Sequence, residues 1–163
     1  QSIVYVIDFS DSMNTAGRLV AAKHEFRRSV AGLSPPWSFN VVIYGCGTLV
    51  WAKVLVLATE GAKASAIAWV DGAETIGGTG TGPAVALALA WRENLAVVLL
   101  TDGEPNCGVY PEPPLADKHR TMIRNANAQG AAINVFGIAA HREWRAFCQG
   151  IAADSGGSYY DVQ

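Results

Sequence analysis

The feature that most constrains this chain is a set of apolar runs that do not alternate. Residues 3–7, 39–44, 96–101 and 132–138 are rich in Val and Ile, and VYVI and VVLL within them carry no charged or strongly polar side chain. A strand with one wet face alternates apolar with polar residues, whereas one apolar throughout is buried on both faces, as in a parallel sheet. Shorter stretches at 49–51 and 158–160 add strands, the first after a tight glycine turn at 45–48 that predicts an antiparallel hairpin. Helical stretches stand between them, at about 16–31, 60–70, 82–91, 117–129 and 141–153. In the first, Leu19, Val20, Phe26, Val30 and Leu33 fall on one side and Lys23, Arg27 and Arg28 elsewhere. Strands and helices in this rhythm predict an α/β fold with helices on both faces of the sheet.

Half of the 163 residues are hydrophobic, enough for one domain with its own core, and no internal repeat or linker divides the chain. The net charge is −2 and the basic residues are dispersed, with Arg27-Arg28 the densest pair. Nothing in that distribution points to a nucleic-acid groove or to binding at an anionic membrane surface. Polar residues interrupt every apolar run before the ~18–20 residues of a spanning helix. Cys46, Cys107 and Cys148 are odd in number, widely separated and without metal-ligand spacing, which predicts three free thiols and leaves the compartment open. The chain begins almost directly on a strand, without signal peptide or start methionine, and reads as a domain cut from a longer protein. Residues 110–115, with three prolines, are the most irregular segment.

Three distant segments supply oxygen ligands. The first strand ends in Asp8, followed by Ser10 and Ser12; TIGGTGTGPA at 75–84 offers Thr79; and VVLLTDGEPN at 97–106 delivers Asp102 at a strand end. In open parallel sheets ligands bind beyond the carboxyl ends of the strands, where the strand order switches. If the strands of Asp8 and Asp102 are neighbours, both carboxylates face that crevice, and the loop of Thr79 reaches it. Two carboxylates and three hydroxyls form a hard set suited to Mg²⁺, or to Mn²⁺ or Ca²⁺. Five donors around an octahedral ion leave one position for a group brought by a partner.

The Asp-x-Ser-x-Ser at 8–12, the Thr of GGTGT at 77–81 and the Asp of TDGEP at 101–105 together resemble the metal-ion-dependent adhesion site of von Willebrand factor A-type domains. The resemblance extends over the chain: RLVAAKHEFRRSV at 18–30 looks like that family's first helix, and AINVFGIAA at 132–140 and GGSYYDVQ at 156–163 like its last two strands. It implies one domain over residues 1–163 with a Rossmann-like, doubly wound, mostly parallel six-stranded sheet and one antiparallel edge strand. It also implies a non-enzymatic protein-binding module. Ser10, Ser12 and Thr79 would give hydroxyls to the metal, Asp8 and Asp102 would bind it directly or through water, and a Glu or Asp carboxylate of a protein partner would complete the site. Relatives sometimes couple ligation to a shift of the last helix, here about 142–153. No nucleic acid and no membrane insertion of this domain are expected, and a monomer is. The Ala- and Gly-rich composition looks bacterial.

Asp11 departs from the pattern, since many relatives have Gly there. Three roles stay open for it: a water-mediated contact to the metal, repulsion of an acidic ligand, or a solvent-facing start to a helix cap. Glu104 is either a water-bonding neighbour of the metal or a loop residue.

Other readings meet specific obstacles. A phosphatase of the haloacid dehalogenase type needs a second Asp where Ser10 stands, because serine cannot act as the acid. Gly77, Gly78, Gly80 and Gly82 match neither a dinucleotide fingerprint nor a P-loop; they let the backbone pass close to the metal. Ser, Thr and Asp also serve as caps and turns, the simplest role for any one of the five but not for all together. A metal-binding subunit docking on an AAA+ ATPase, as in magnesium-chelatase-like machines, is the alternative function. His24, His119 and His141 read as surface or capping residues, and the five tryptophans as packing.

Overall fold

The computed structural model describes residues 1–103, 105–109 and 115–163. Its order is β1 (Ser2–Asp8), a 3₁₀ turn (Asp11–Asn14), α1 (Arg18–Ala31), β2 (Ser38–Tyr44), β3 (Thr48–Val50) and β4 (Val56–Leu57). Then follow α2 (Glu60–Gly72), α3 (Thr81–Leu89), β5 (Ala96–Thr101), α4 (Leu115–Ala126), β6 (Ala132–Ile138), α5 (Arg142–Ser155) and β7 (Tyr159–Val162). The sheet runs β3-β2-β1-β5-β6-β7; β1, β2, β5, β6 and β7 are parallel, and β3 is antiparallel to β2.

The unbroken apolarity of the central strands has its cause in two cores. Val4 and Val6 of β1, Val97 and Leu99 of β5 and Ile133 and Val135 of β6 face one side, covered by Ala84, Val85, Ala88 and Leu89 of α3 and by Phe147, Cys148 and Ile151 of α5. Tyr5, Ile7, Val98 and Leu100 face the other, under Ala22, Phe26 and Val30 of α1 and Ala66 and Val70 of α2. Each central strand therefore buries alternate residues in different layers, and most of its positions are apolar.

The sheet has a seventh strand that the sequence does not announce. Val56–Leu57 pairs antiparallel with the start of β2, while β3 pairs with its end, so two short strands share one edge. Two residues carry no periodicity to read. α1 begins at Arg18, not residue 16, because Ala16 (φ 53°) and Gly17 (φ 69°) are both left-handed. Val20 is 74% exposed, outside the buried stripe of that helix. α4 stops at Ala126 because the Asn127 side chain takes over, donating to the Ala131 carbonyl and accepting from its N–H, both at 2.8 Å. The irregular segment expected at 110–115 lies outside the described residues, except for Leu115, which opens α4.

The free-thiol expectation is overturned for two of the three cysteines. Cys46, in the turn after β2, and Cys107, in the loop after β5, form a disulfide across 61 residues of sequence. The odd total left the third, Cys148, as the buried free thiol.

Candidate metal centre

β1 lies between β2 and β5, so the connection leaving β1 goes one way in the sheet and the strand entering on its other side comes from later in the chain. That junction is the switch point, and Asp8 ends β1 while Asp102 directly follows β5 beside it. Asp8 is fully buried. Its Oδ1 accepts from the Ser10 backbone N–H at 2.8 Å, and its Oδ2 accepts from the Thr101 hydroxyl at 2.6 Å. Above it, Ser10 and Ser12 bring their hydroxyl oxygens to 3.1 Å, and Ser12 donates to Asp102 Oδ2 at 2.5 Å. Thr79, 2% exposed, shares with Ser10 and Ser12 a cleft of about 160 Å³ that Asp11, Gly77, Gly78 and Asn106 also line.

The 3₁₀ turn gives the two serines their placement. Ser10 is its N-cap, extended at φ −70°, and the Asp11 N–H bonds the Gly77 carbonyl at 2.8 Å, tying this turn to the glycine loop. Asp11 itself is exposed at the rim of the cleft. Glu104 lies outside the described residues.

The Thr79 loop is held from several directions. Asn106 Oδ1 accepts from the Thr79 N–H at 2.8 Å, the Asn106 N–H donates to the Thr79 carbonyl at 2.9 Å, and the Gly80 N–H donates to the Gly45 carbonyl at 2.7 Å. The disulfide closes over the same loop. A Cβ at Gly78 would lie 2.6 Å from Cys46 Sγ and 3.0 Å from Cys107 Sγ, so only glycine fits beneath the crosslink.

Burial pushes the Asp8 carboxyl up to about 6, and the nearby charge of Asp102 pushes the same way. The Ser10 and Thr101 hydrogen bonds pull against this without prevailing. Tyr44, whose hydroxyl meets Thr81 Oγ1 at 3.1 Å, is raised well above the usual phenol range by burial and then by the Asp8 charge. A buried carboxylate that is short of counter-charge, beside a second carboxylate and two hydroxyls, is a donor set that a hard divalent cation fits. Among the described residues no cluster of three or more His, Cys, Asp or Glu is placed to hold a metal, so the hydroxyls are needed for any such site.

No protein-family model matches the chain. Human inter-alpha-trypsin inhibitor heavy chain H4 is 27% identical over 121 residues, 66% of this chain; the chain spans only 13% of that curated relative's length. A von Willebrand factor type A structure from Catenulispora acidiphila superposes with a TM-score of 0.77 at 22% identity, covering all of this chain and 38% of that one. The pilus adhesin SpaC of Lactobacillus rhamnosus GG, in its open conformation, superposes at 0.76 with 17% identity over 99% of this chain and 28% of its own. This is the von Willebrand factor type A fold.

Within the type A fold, several residues around the centre escape motif reading. Thr101 orients Asp8 and accepts the Gly103 N–H at 2.9 Å. Asn106 fixes Thr79, and Arg18 reaches Asp102 from the start of α1. Asn106 and Thr101 lie in the quoted VVLLTDGEPN segment, so their proximity to Asp102 was a usable signal; Arg18 offered none. The last helix of the fold also touches the site's margin. Gly103 (φ 93°) follows Asp102 and has no room for a Cβ, with the Trp144 Cβ at 2.8 Å and Cys148 Sγ at 3.1 Å, both on α5. His119, buried on α4, accepts the Gly82 N–H at 2.7 Å and so caps the helix that leaves the Thr79 loop.

Proposed function

We propose that this domain is a non-enzymatic protein-binding module that holds a divalent cation, Mg²⁺ in the first instance or Mn²⁺ or Ca²⁺, with Asp8, Ser10, Ser12, Thr79 and Asp102. When bound, the cation supplies a positive centre able to accept one carboxylate oxygen from a Glu or Asp of another protein. The observation that carries the reading is the chain of short contacts from Ser10 to Ser12 to Asp102, directly above the buried Asp8, at the switch point of the sheet. Each hydroxyl has lone pairs to offer, and the Asp8 and Asp102 carboxylates oppose each other until a cation is shared between them. The cleft is polar and small, of a size for a single side chain. The similarity in fold to a pilus adhesin supports the binding role. The disulfide supports an oxidising compartment over the cytosol of a chelatase-like machine.

The melting temperature in EDTA, and then with Mg²⁺, Mn²⁺ and Ca²⁺ titrated in, tests the metal half of the proposal. A cation at about 100 times its dissociation constant stabilises by about 2.7 kcal/mol, about 5–10 °C in a domain of this size. The rise is expected in wild type and absent in Asp8→Ala and Ser12→Ala. A flat wild-type response would sink the reading.

A further inference from the structure

Arg18 is the first residue of α1, and the left-handed pair Ala16 and Gly17 turns the chain so that this helix starts beside the cleft. Its Nη1 donates to Asp102 Oδ2 at 3.3 Å and to the Ser12 carbonyl at 3.3 Å. The same Oδ2 accepts the Ser12 hydroxyl. The ion pair is little screened, since the Arg18 side chain is 15% exposed and that of Asp102 3%. The Nε of Arg18 is buried and has no hydrogen-bond partner among the described residues.

From this geometry we infer that Arg18 is a built-in counter-cation of the centre: it competes with the divalent ion for Asp102, so that the ion is held more weakly alone than together with an acidic partner. The inference rests on the metal-binding reading above and deepens it. Two carboxylates, Asp8 and Asp102, balance a divalent ion by themselves. With the Arg18 guanidinium on Asp102, the same ion leaves one positive charge in excess, and one carboxylate from a partner cancels it. Asp11 sits on the exposed rim, where solvent screens its charge. The guanidinium also has the planar fork that matches a carboxylate. Arg18 therefore weakens the hold on metal alone and favours a partner that brings an acidic side chain over one that brings a neutral oxygen.

Calorimetric titration of Mg²⁺ alone into wild type, Arg18→Gln and Arg18→Lys tests this. Removing the competitor frees one charged hydrogen bond at Asp102, so Arg18→Gln is expected to bind Mg²⁺ about tenfold more tightly. Arg18→Lys keeps the charge and stays near wild type. Equal affinity in wild type and Arg18→Gln overturns the role of Arg18 and leaves the metal site standing. No uptake by any of the three proteins overturns the metal site, and this inference with it. Should Arg18→Gln fail to fold, the Nε–H resonance of Arg18 in ¹⁵N-labelled wild type gives the answer. It is expected to shift as Mg²⁺ saturates, and an unmoved resonance in protein that takes up Mg²⁺ overturns the inference.

Discussion

Replacing Asp8 by Asn should stabilise the metal-free domain, although Asp8 is the most deeply buried of the candidate ligands. A carboxyl held at about 6 instead of its ordinary 3.8 binds its proton more tightly in the folded chain than in the unfolded one. Its contribution is therefore favourable below the ordinary value and is lost as pH rises through the folded one. Above pH 7 the metal-free protein carries the full penalty of a buried, ionised Asp8, about 3 kcal/mol. Asn removes the charge and keeps the shape. It still offers an oxygen to the Ser10 N–H, but its amide must meet the Thr101 hydroxyl where a carboxylate oxygen stood, at a cost of about 1 kcal/mol. A net gain of about 2 kcal/mol raises the melting temperature by about 4–8 °C at pH 8, and the gain vanishes by about pH 4. Thermal unfolding in EDTA between pH 4 and 8 measures it, and in saturating Mg²⁺ wild type should recover while Asp8→Asn should not respond. A variant less stable than wild type in EDTA at pH 8, or an offset that does not change with pH, would refute the assignment of Asp8 as an uncompensated buried charge.

Three more perturbations probe the surroundings. Thr101→Val, nearly isosteric, strips a hydrogen bond from Asp8 and one from the Gly103 N–H; a loss of about 1–3 kcal/mol by denaturant titration, with weaker Mg²⁺ uptake, is expected, and unaltered uptake would count against Thr101 as the residue that orients Asp8. Reducing the Cys46–Cys107 bond reopens a loop of 61 residues, worth about 4 kcal/mol in the chain-entropy view; melting with and without reductant checks the stability, and Mg²⁺ affinity unchanged by reduction would show that the crosslink does not hold the Thr79 loop. Gly78→Ala drives a methyl into both sulfurs and Asn106 Oδ1; a cost of about 1–3 kcal/mol is expected, and a neutral result by the same unfolding assay would mean the loop sits more loosely than its contacts imply.

What sequence could and could not reveal divides along one physical line. Short-range patterns registered well. The apolarity of VYVI and VVLL announced strands buried on both faces, and the Gly45–Cys46–Gly47 turn announced the antiparallel partner of β2. Val20 was misread although spacing alone sets it apart: at about 100° per residue it lies roughly a quarter-turn or more from Leu19, Phe26, Val30 and Leu33, on the exposed side of α1. The disulfide stayed hidden for a different reason. Cys46 and Cys107 meet only because β2 and β5 flank β1, and nothing in a separation of 61 residues encodes that adjacency. The five candidate ligands stood out as a pattern of residue types, with Asp8 and Asp102 at strand ends and Ser10, Ser12 and Thr79 in the turn and loop beside them. Arg18 did not, since a basic residue opening a helix is ordinary until the carboxylate beside it is located.

The position of the crosslink has a mechanical meaning. It joins the segments that leave the ends of β2 and β5, and so it passes over the end of β1 and over the Thr79 loop between them. Tension applied at the cleft from outside is thereby divided between two strands lying on either side of the central one. Both are parallel to β1 and bonded to it along their length. Force along the strand axis would have to shear two ladders at once, where a loop without the crosslink would peel away one hydrogen bond at a time.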